Sequence, residues 1–460
     1  MALKVLFAAS ECAPLVEVGG LAYAVGSLSK ALRGLGVEVG IVLPAYKGLS
    51  GIKTLPGSDI PVFLVENEDY FGSSEKPYWG TDIDPQRFGY FSRQVVHNLP
   101  HWGFKPDVIH LHDWHTALVS SIVRKLNLPY ATVLTIHNLT MQGVTASEVL
   151  FPLGLTEVDL RTLEWDSQER SVDQLLQGII DADLISAVSP TYAKEVLSPE
   201  FGEGFHEILR IRKAYLFGVL NGINCEVYDP SQDKEIYQNF DLNNFGEGKA
   251  ANKKKLQEEL GLAVDQKIML IGFVGCLTDQ KGLSLIIEGF GRMMDLPIQF
   301  VLLGVGDSRY ERQVRDLARS HSGKFSVQIA DDPSLTKRIC AASDLFLIPS
   351  RFEPSGLTPM IVMRYGVLPL VHATGGLNDA VVDGENGFVF GKYEASQMLA
   401  CLRRALKAFS TPKWRQMVTV AMQKDFSWER SAEEYTSLYR QALEFAKCNN
   451  SVRCKTYAKR

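Results

Sequence analysis

The sequence predicts an α/β protein with two doubly wound domains, each built on a parallel sheet. Short apolar runs rich in β-branched residues recur along the chain, bounded by Gly, Pro or Asp and separated by longer amphipathic segments. The runs are continuously apolar rather than alternating, as strands buried on both faces of a parallel sheet require. Strands and helices that alternate in this way pack as sheets covered by helices.

The predicted strands fall into two groups separated by a polar stretch. The first group comprises residues 5–9, 37–43, 62–66, 107–111, 131–136, 184–188 and 217–220, and the second comprises residues 268–275, 298–303, 325–329, 345–348, 367–371 and 387–390. Because residues 231–255 are polar and lack a strand, we place the domain boundary there. The predicted domains are residues 1–235 and 246–428. A helical tail, residues 429–460, is expected to cross back to the first domain.

Composition and charge disfavour several classes of protein. The 460 residues are 46% hydrophobic and 22% charged, as in folded globular chains, and the net charge of -5 gives no basic field for nucleic acid. No apolar stretch approaches the roughly 18 residues of a membrane span, so no membrane partner is expected. The seven cysteines are scattered and fit reduced thiols. We therefore expect a cytoplasmic protein, or a plastid protein in its mature form.

Two Gly-Gly pairs occupy corresponding places in the two predicted domains. Gly19-Gly20 follows the first strand and opens a helix, and Gly375-Gly376, preceded by Thr374, does the same in the second domain. Paired glycines let the backbone approach a ligand, and the helix N-terminus offers N–H groups to an anion. The alternative for each pair is a tight turn without a ligand.

The segment 110–115 combines three histidines with an aspartate and a tryptophan. Two of the histidines would share one face of a strand and the third begins a helix, so we predict no metal site. Asp113 and Trp114 fit a sugar platform, because an aromatic face packs on C–H groups and a carboxylate accepts from hydroxyls. The alternative is a helix N-cap aspartate followed by a core tryptophan.

Polar side chains also follow later predicted strands. His137-Asn138 and Asn221 follow strands of the first domain and can donate to or accept from a hydroxyl-rich ligand, although His137 could equally be a hydrogen-bonded core histidine. In the second domain, Lys281 and Glu353 accompany a segment that can open a helix: Ser355, Gly356, Leu357 and Thr358. A carboxylate beside free helix N–H groups suits a sugar nucleotide.

The order of these motifs resembles the bacterial glycogen synthases and plant starch synthases, which add glucose from ADP-glucose to the non-reducing end of an α-1,4-glucan. The resemblance spans essentially the whole chain and is carried by ordered motifs: Ser10-Glu11, Gly19-Gly20-Leu21, His112-Asp113-Trp114-His115, Thr135-Ile136-His137-Asn138, Gln280-Lys281-Gly282, Pro349 through Leu357, Thr374-Gly375-Gly376-Leu377 and Asp425-Phe426-Ser427-Trp428. It implies the GT-B arrangement, two facing Rossmann-like domains with an interdomain cleft, and a retaining glycosyltransferase that needs no metal or cofactor.

The resemblance also implies roles for individual residues. The catalytic residues would be His137, facing the transferred glucose, Lys281, reaching the diphosphate, and Glu353, contacting the glucose. The other donor-binding residues would be Gly19, Gly20, Asp113, Trp114, Asn138, Asn221, Ser355, Gly356, Leu357, Thr358, Thr374 and Gly375.

Several residues depart from the family's pattern. Glu17 stands where a lysine serves the donor phosphates, Tyr23 replaces an aspartate, and Cys276 replaces an arginine that faces the diphosphate. By spacing, Asp331 falls where an aromatic stacks on adenine. Asn224 replaces an aspartate, which is a mild change.

Three hypotheses follow from these departures. Losing one preorganised electrostatic donor costs about 2.7–4 kcal/mol in barrier, so the chain needs replacement cations, for which Arg351, Lys337 and Arg338 are candidates. The first hypothesis is an active glucan synthase. The second is a degenerate glucan-binding or initiation-assisting paralogue, and the third is a GT-B enzyme with another donor.

Overall fold

The computed structural model describes residues 2–73, 76–154 and 171–457. The chain divides into two compact units, Met1–Gly222 with Trp428–Arg460, and Ile223–Ser427. The long C-terminal helix therefore belongs to the first unit. The last residues of the predicted tail, 458–460, lie outside the described residues.

The first unit is built on a parallel sheet whose strands are ordered β3-β2-β1-β4-β5-β8-β9. These strands are β1 (Lys4–Ala8), β2 (Glu38–Pro44), β3 (Val62–Val65), β4 (Val108–His112), β5 (Ala131–Ile136), β8 (Leu184–Ala187) and β9 (Leu216–Gly218). A separate antiparallel pair, which the sequence did not reveal, consists of β6 (Val144–Ala146) and β7 (Ser171–Asp173). The order reverses between β1 and β4, which is where doubly wound sheets bind ligands.

Helices cover both faces of this first sheet. They are α1 (Gly20–Gly34), α2 (Asp84–Asn98), α3 (Trp114–Lys125), α4 (Gln174–Asp181), α5 (Pro190–Glu195), α6 (His206–Ile211) and the C-terminal helix, here called α15 (Trp428–Tyr457). One core cluster lies under α2, α3 and α4, and a second lies under α1 and α15. Within the second cluster, the fully buried Tyr439 hydroxyl bonds to Nδ1 of His110 at 2.8 Å, which anchors α15 to β4.

The second unit has a parallel sheet ordered β12-β11-β10-β13-β14-β15. Its strands are β10 (Met269–Val274), β11 (Ile298–Leu303), β12 (Phe325–Gln328), β13 (Leu345–Ile348), β14 (Leu368–His372) and β15 (Phe388–Phe390). Its helices are α7 (Phe245–Glu259), α8 (Leu283–Met294), α9 (Ser308–Ser320), α10 (Pro333–Ala342), α11 (Leu357–Arg364), α12 (Gly375–Ala380), α13 (Ala395–Phe409) and α14 (Pro412–Gln423). The order reverses between β10 and β13.

The two sheets confirm the predicted fold class of two doubly wound α/β domains. Each predicted strand of the sheets is present, with ends that shift by a few residues. Among the described residues, no helix is long and apolar enough to cross a membrane.

Candidate active site

In the first unit, the candidate residues cluster at the carboxyl ends of β4 and β5. Asp113 follows β4 with a positive φ of 56°, a backbone conformation that is strained for a residue with a side chain. Its Oδ1 accepts the backbone N–H of His137 at 2.7 Å, and the N–H of Asn138 also bonds to this carboxylate. Asp113 therefore ties the two strand ends together instead of capping α3 through its side chain.

The electrostatics of this cluster follow from burial. Desolvation raises the pKa of Asp113 to about 7, although the two backbone N–H groups oppose the shift. Desolvation lowers the pKa of His137 to about 3, so its imidazole is neutral at physiological pH. Nε2 of His137 lies 3.0 Å from Nδ1 of His112. The cluster thus offers an uncharged imidazole and a carboxyl group that titrates near neutrality.

The burial of Trp114 contradicts its interpretation as an exposed sugar platform. Its side chain is only 8% exposed and packs edge-to-face on Phe88, with ring centroids 5.3 Å apart. Gly143 must lack a side chain there, because a Cβ would lie 2.2 Å from the indole. Trp114 is a core residue, as the alternative interpretation had it, and its ring faces are already covered.

The Gly19-Gly20 loop before α1 is lined by a buried carboxylate. Oε2 of Glu11 accepts the N–H groups of Val18 and Gly19 at 2.8 and 3.0 Å, and its Oε1 accepts the hydroxyl of Tyr78 at 2.5 Å. The N–H of Gly19 is therefore directed at Glu11 rather than at a ligand. Sequence reasoning gave Glu11 no role, although it lies only three residues beyond the end of the buried strand β1. Glutamate is rarely buried unless it is paired.

The departures at Glu17 and Tyr23 are in contact with each other. The hydroxyl of Tyr23 donates to Oε2 of Glu17 at 3.0 Å, and the tyrosine is 50% exposed. The two replacements thus form a pair on the exposed side of α1. The structure shows why asparagine can replace aspartate at position 224. Oδ1 of Asn224 accepts hydrogen bonds from the backbone N–H groups of Glu226 and Val227, as an aspartate oxygen would.

Asn138 and Asn221 also lie beyond strands of the first sheet. Asn138 is half-buried, and its Oδ1 accepts the N–H of Thr140 at 3.1 Å. Asn221 is 6% exposed and lies three residues beyond β9. Both residues therefore belong to the carboxyl edge of the first sheet, where the sequence predicted them.

In the second unit, Lys281 and Glu353 meet in an ion pair. Nζ of Lys281 lies 2.6 Å from Oε2 of Glu353, and the hydroxyl of Ser350 donates to the same oxygen at 3.1 Å. The side chains are 30% and 15% exposed, so the pair is partly screened from water. Lys281 follows β10 and Glu353 follows β13, on the two sides of the switch point.

Close backbone contacts hold this ion pair in place. The N–H of Gly376 donates to the carbonyl of Glu353 at 3.0 Å, and a Cβ on Gly376 would lie 1.6 Å from the carbonyl oxygen of Ser355. Gly375 has a φ of +43°, and a Cβ there would lie 2.0 Å from the carbonyl oxygen of Glu353. The loop that begins at Thr374 therefore packs directly against the backbone of the loop that carries Glu353.

The N-terminus of α11 begins directly after this loop. Gly356 is its N-cap in the left-handed region at a φ of 67°, and no side chain caps the helix. The hydroxyl oxygen of Ser355 is buried without a partner among the described residues. Leu357 and Thr358 start the helix and are half-buried.

The candidate replacement cations are in different situations. Lys337 lies 3.2 Å from Asp233, and Arg338 lies 3.3 Å from Glu259, so both are ion-paired elsewhere in the unit. Arg351 is exposed, and its backbone N–H donates to the carbonyl of Gln280, next to Lys281 in the chain. Cys276 and Asp331 are both exposed. Among the described residues, no group of three or more His, Cys, Asp or Glu is arranged to hold a metal ion.

Comparisons with known proteins agree with the arrangement of both units. Residues 4–211 match the family described as the starch synthase catalytic domain, and residues 252–417 match glycosyl transferases group 1. Glycogen synthase from Thermotoga petrophila is 39% identical, over 96% of this chain and 99% of the relative. The chain belongs to the glycogen and starch synthase family. Glycogen synthase from Syntrophotalea carbinolica, a further member of this family, is 38% identical over the same shares.

Solved structures extend the likeness to three dimensions. The catalytic domain of starch synthase IV from Arabidopsis thaliana, bound to ADP and acarbose, is 32% identical with a TM-score of 0.85, covering 96% of this chain and all of that one. Sucrose-phosphate synthase from Thermosynechococcus elongatus, 17% identical with a TM-score of 0.62 over 95% of this chain and 98% of that one, shares the fold alone. The chain is a glycosyltransferase of the GT-B class that acts in glycogen or starch synthesis, and the resemblance found in the sequence is confirmed.

Proposed function

We propose that this protein transfers glucose from ADP-glucose to the non-reducing end of an α-1,4-glucan, with retention of the anomeric configuration. The observation that carries the proposal is the ion pair between Lys281 and Glu353 beside the N-terminus of α11. Together, the ion pair and the helix N-terminus offer a cation for phosphate, a carboxylate for sugar hydroxyls and N–H groups for further oxygens. The ADP named with starch synthase IV supports the choice of nucleotide.

In this proposal the second unit binds the donor. Lys281 neutralises charge that develops on the departing diphosphate, with Thr358 and Gly375 near the same phosphates. Glu353 accepts hydrogen bonds from hydroxyl groups of the glucose. We assign the Ser355 hydroxyl, which is buried without a partner among the described residues, to the same ligand. Because Cys276 supplies no charge where the resemblance implies an arginine, we assign the assisting role to Arg351, whose backbone N–H bonds to the carbonyl of Gln280 next to Lys281.

The first unit contributes uncharged and acidic groups. His137 donates a hydrogen bond to the transferred glucose, and the Asp113 carboxyl group fixes the backbone that carries His137 and Asn138. We assign Asn221 to the same surroundings. Trp114 supports them from the core rather than by direct stacking.

Chain extension in vitro tests this proposal. Purified protein is incubated with a maltooligosaccharide primer and either ADP-glucose or UDP-glucose, and product lengths are measured. Faster extension with ADP-glucose and an α-linked product is expected. Extension with UDP-glucose alone would instead identify another donor, and glucan binding without extension would identify a degenerate paralogue.

Cys276 provides a test of donor placement that does not depend on turnover. Its thiol is exposed in the loop that precedes Lys281, whereas Cys448 is exposed on α15 in the other unit. ADP should slow alkylation of Cys276 by iodoacetamide and leave alkylation of Cys448 unchanged, as measured by peptide mass mapping. Equal protection of both thiols, or of neither, would contradict a diphosphate near Lys281.

A further inference from the structure

Two histidines share a hydrogen bond at the carboxyl edge of the first sheet. His112 is the last residue of β4, and His137 directly follows the neighbouring strand β5. Nδ1 of His112 and Nε2 of His137 are 3.0 Å apart. A bond between two imidazole nitrogens holds one proton, so one ring donates and the other accepts.

Both rings are uncharged at neutral pH. Burial lowers the pKa of His137 to about 3, and burial with the neighbouring His110 and His137 lowers the pKa of His112 well below its usual value. A neutral imidazole carries one proton in total. The direction of the shared bond therefore fixes the protonation of the second nitrogen on each ring.

The second nitrogen of His112 distinguishes the two directions. Its Nε2 is buried and has no hydrogen-bond partner among the described residues. The ring lies against Phe7, stacked at 5.3 Å, and against His110 at 4.2 Å. If His137 were the donor, Nε2 of His112 would be a buried N–H without an acceptor, which is rarer in proteins than an unused acceptor.

We propose that His112 is a positioning residue that donates from Nδ1 and so holds His137 in the tautomer protonated on Nδ1. His137 then offers an N–H donor, rather than a basic nitrogen, to an oxygen of the transferred sugar. This inference rests on the function proposed for His137, but the tautomer exists without substrate and can be measured separately.

The tautomer is read directly from labelled protein. The full chain, with its nine histidines labelled with 15N, is examined by long-range 1H–15N correlation, and His137→Gln identifies the signals of His137. We expect a protonated Nδ1 and an unprotonated Nε2 on His137. The reverse pattern would overturn the proposal, whether or not the protein transfers glucose.

Substitutions at His112 test the positioning role. His112→Asn keeps an amide donor near the place of Nδ1 and should preserve the tautomer and most of the turnover. His112→Asp places an acceptor there, so His137 should become protonated on Nε2 and kcat should fall about tenfold to hundredfold, with a smaller change in KM. The exposed His101→Asn is the matched control and should change neither quantity.

The outcomes separate this inference from the proposed function. A folded His112→Asp variant in which His137 stays protonated on Nδ1 would overturn the positioning role. An Nδ1 tautomer in a wild type that transfers no glucose would refute the proposed function and leave the tautomer assignment standing. If neither variant folds, the wild-type spectrum decides alone.

Discussion

The two Gly-Gly loops are alike in sequence and lie in different surroundings. Nothing lies within 4 Å of the place a Cβ would occupy on Gly19 or Gly20, and the N–H of Gly19 donates to Glu11. On Gly376, by contrast, a Cβ would lie 1.6 Å from the carbonyl oxygen of Ser355. The first loop leaves open space in front of a helix, whereas the second is pressed against the loop that carries Glu353.

This difference shows that one sequence signal has two physical causes. In the second unit, glycine is required because two backbones touch, and this contact fixes the carboxylate that pairs with Lys281. In the first unit, the loop carries the carboxylates of Glu11 and Glu17, and Glu17 stands where the resemblance implies a lysine. We therefore expect the cationic charge that faces the proposed diphosphate to be concentrated in the second unit.

The largest effect is expected from removing that concentrated charge. Lys281→Ala should lower kcat by about 100-fold to 1,000-fold, since one preorganised electrostatic contact contributes on that scale. Lys254→Ala, at an exposed position on α7, is the control and should leave turnover unchanged. Wild-type turnover in Lys281→Ala would mean that the diphosphate binds elsewhere.

Two alanine substitutions test whether the two Gly-Gly loops differ in packing. Gly376→Ala forces a methyl group into the Ser355 backbone and should destabilise the protein by about 3 kcal/mol, at the upper end of overpacking effects. Gly20→Ala enters open space at the start of α1 and should change the free energy of unfolding by less than about 0.5 kcal/mol. Urea unfolding of both variants measures the difference. Similar losses in the two would show that the loops are equally packed.

The fold could be predicted from the sequence because buried parallel strands leave a strong pattern. Each strand of the two sheets overlaps a short, mostly apolar segment of the sequence. The β6–β7 pair was missed because β6 has only three residues and is largely exposed, so it carries no apolar signal.

The site was predictable in its residue types and less so in its contacts. The contact between His112 and His137 spans 25 residues and depends on how β4 and β5 align, which no local pattern encodes. The sequence left Trp114 open between a sugar platform and a core residue, because it does not show that Phe88 packs against it. Lys337 and Arg338 were considered as phosphate cations, but their ion-pair partners lie far away in the chain.

Substitutions that restore positively charged side chains test whether the departures at Cys276 and Glu17 have weakened the binding of ADP. Cys276→Arg should tighten ADP binding about tenfold to hundredfold, as a charge-assisted hydrogen bond contributes roughly 1.5–3 kcal/mol. Glu17→Lys should be combined with Tyr23→Asp, because Glu17 and Tyr23 are hydrogen-bonded to each other and the resemblance implies lysine and aspartate at these two positions. Calorimetric titration with ADP compares these variants with the wild type. Weaker binding after restoration would show that the present residues form a working site of their own.

The smallest expected effect comes from the different surroundings of two carboxyl groups, Glu353 in the second unit and Asp113 in the first. Glu353 is ion-paired with Lys281, whereas Asp113 is bonded to backbone N–H groups and is buried. Burial raises the pKa of Asp113 to about 7, against about 3.9 when unfolded. Between these values the folded state binds more protons than the unfolded state, so this group's contribution to stability is full below about pH 4 and is lost as the pH rises through 7.

Asp113→Asn isolates this contribution, because the amide oxygen can still accept from His137 and does not ionise. The buried histidines titrate in both proteins, so their opposite pH dependence cancels in the difference. Relative to the variant, the wild type should lose about 3 kcal/mol of unfolding free energy between pH 5 and pH 8, since the titration covers about two pH units and each corresponds to about 1.4 kcal/mol. Urea unfolding at several pH values measures both proteins. A difference that stays constant with pH would mean that the Asp113 carboxyl group is already ionised at pH 5, held so by the N–H groups of His137 and Asn138.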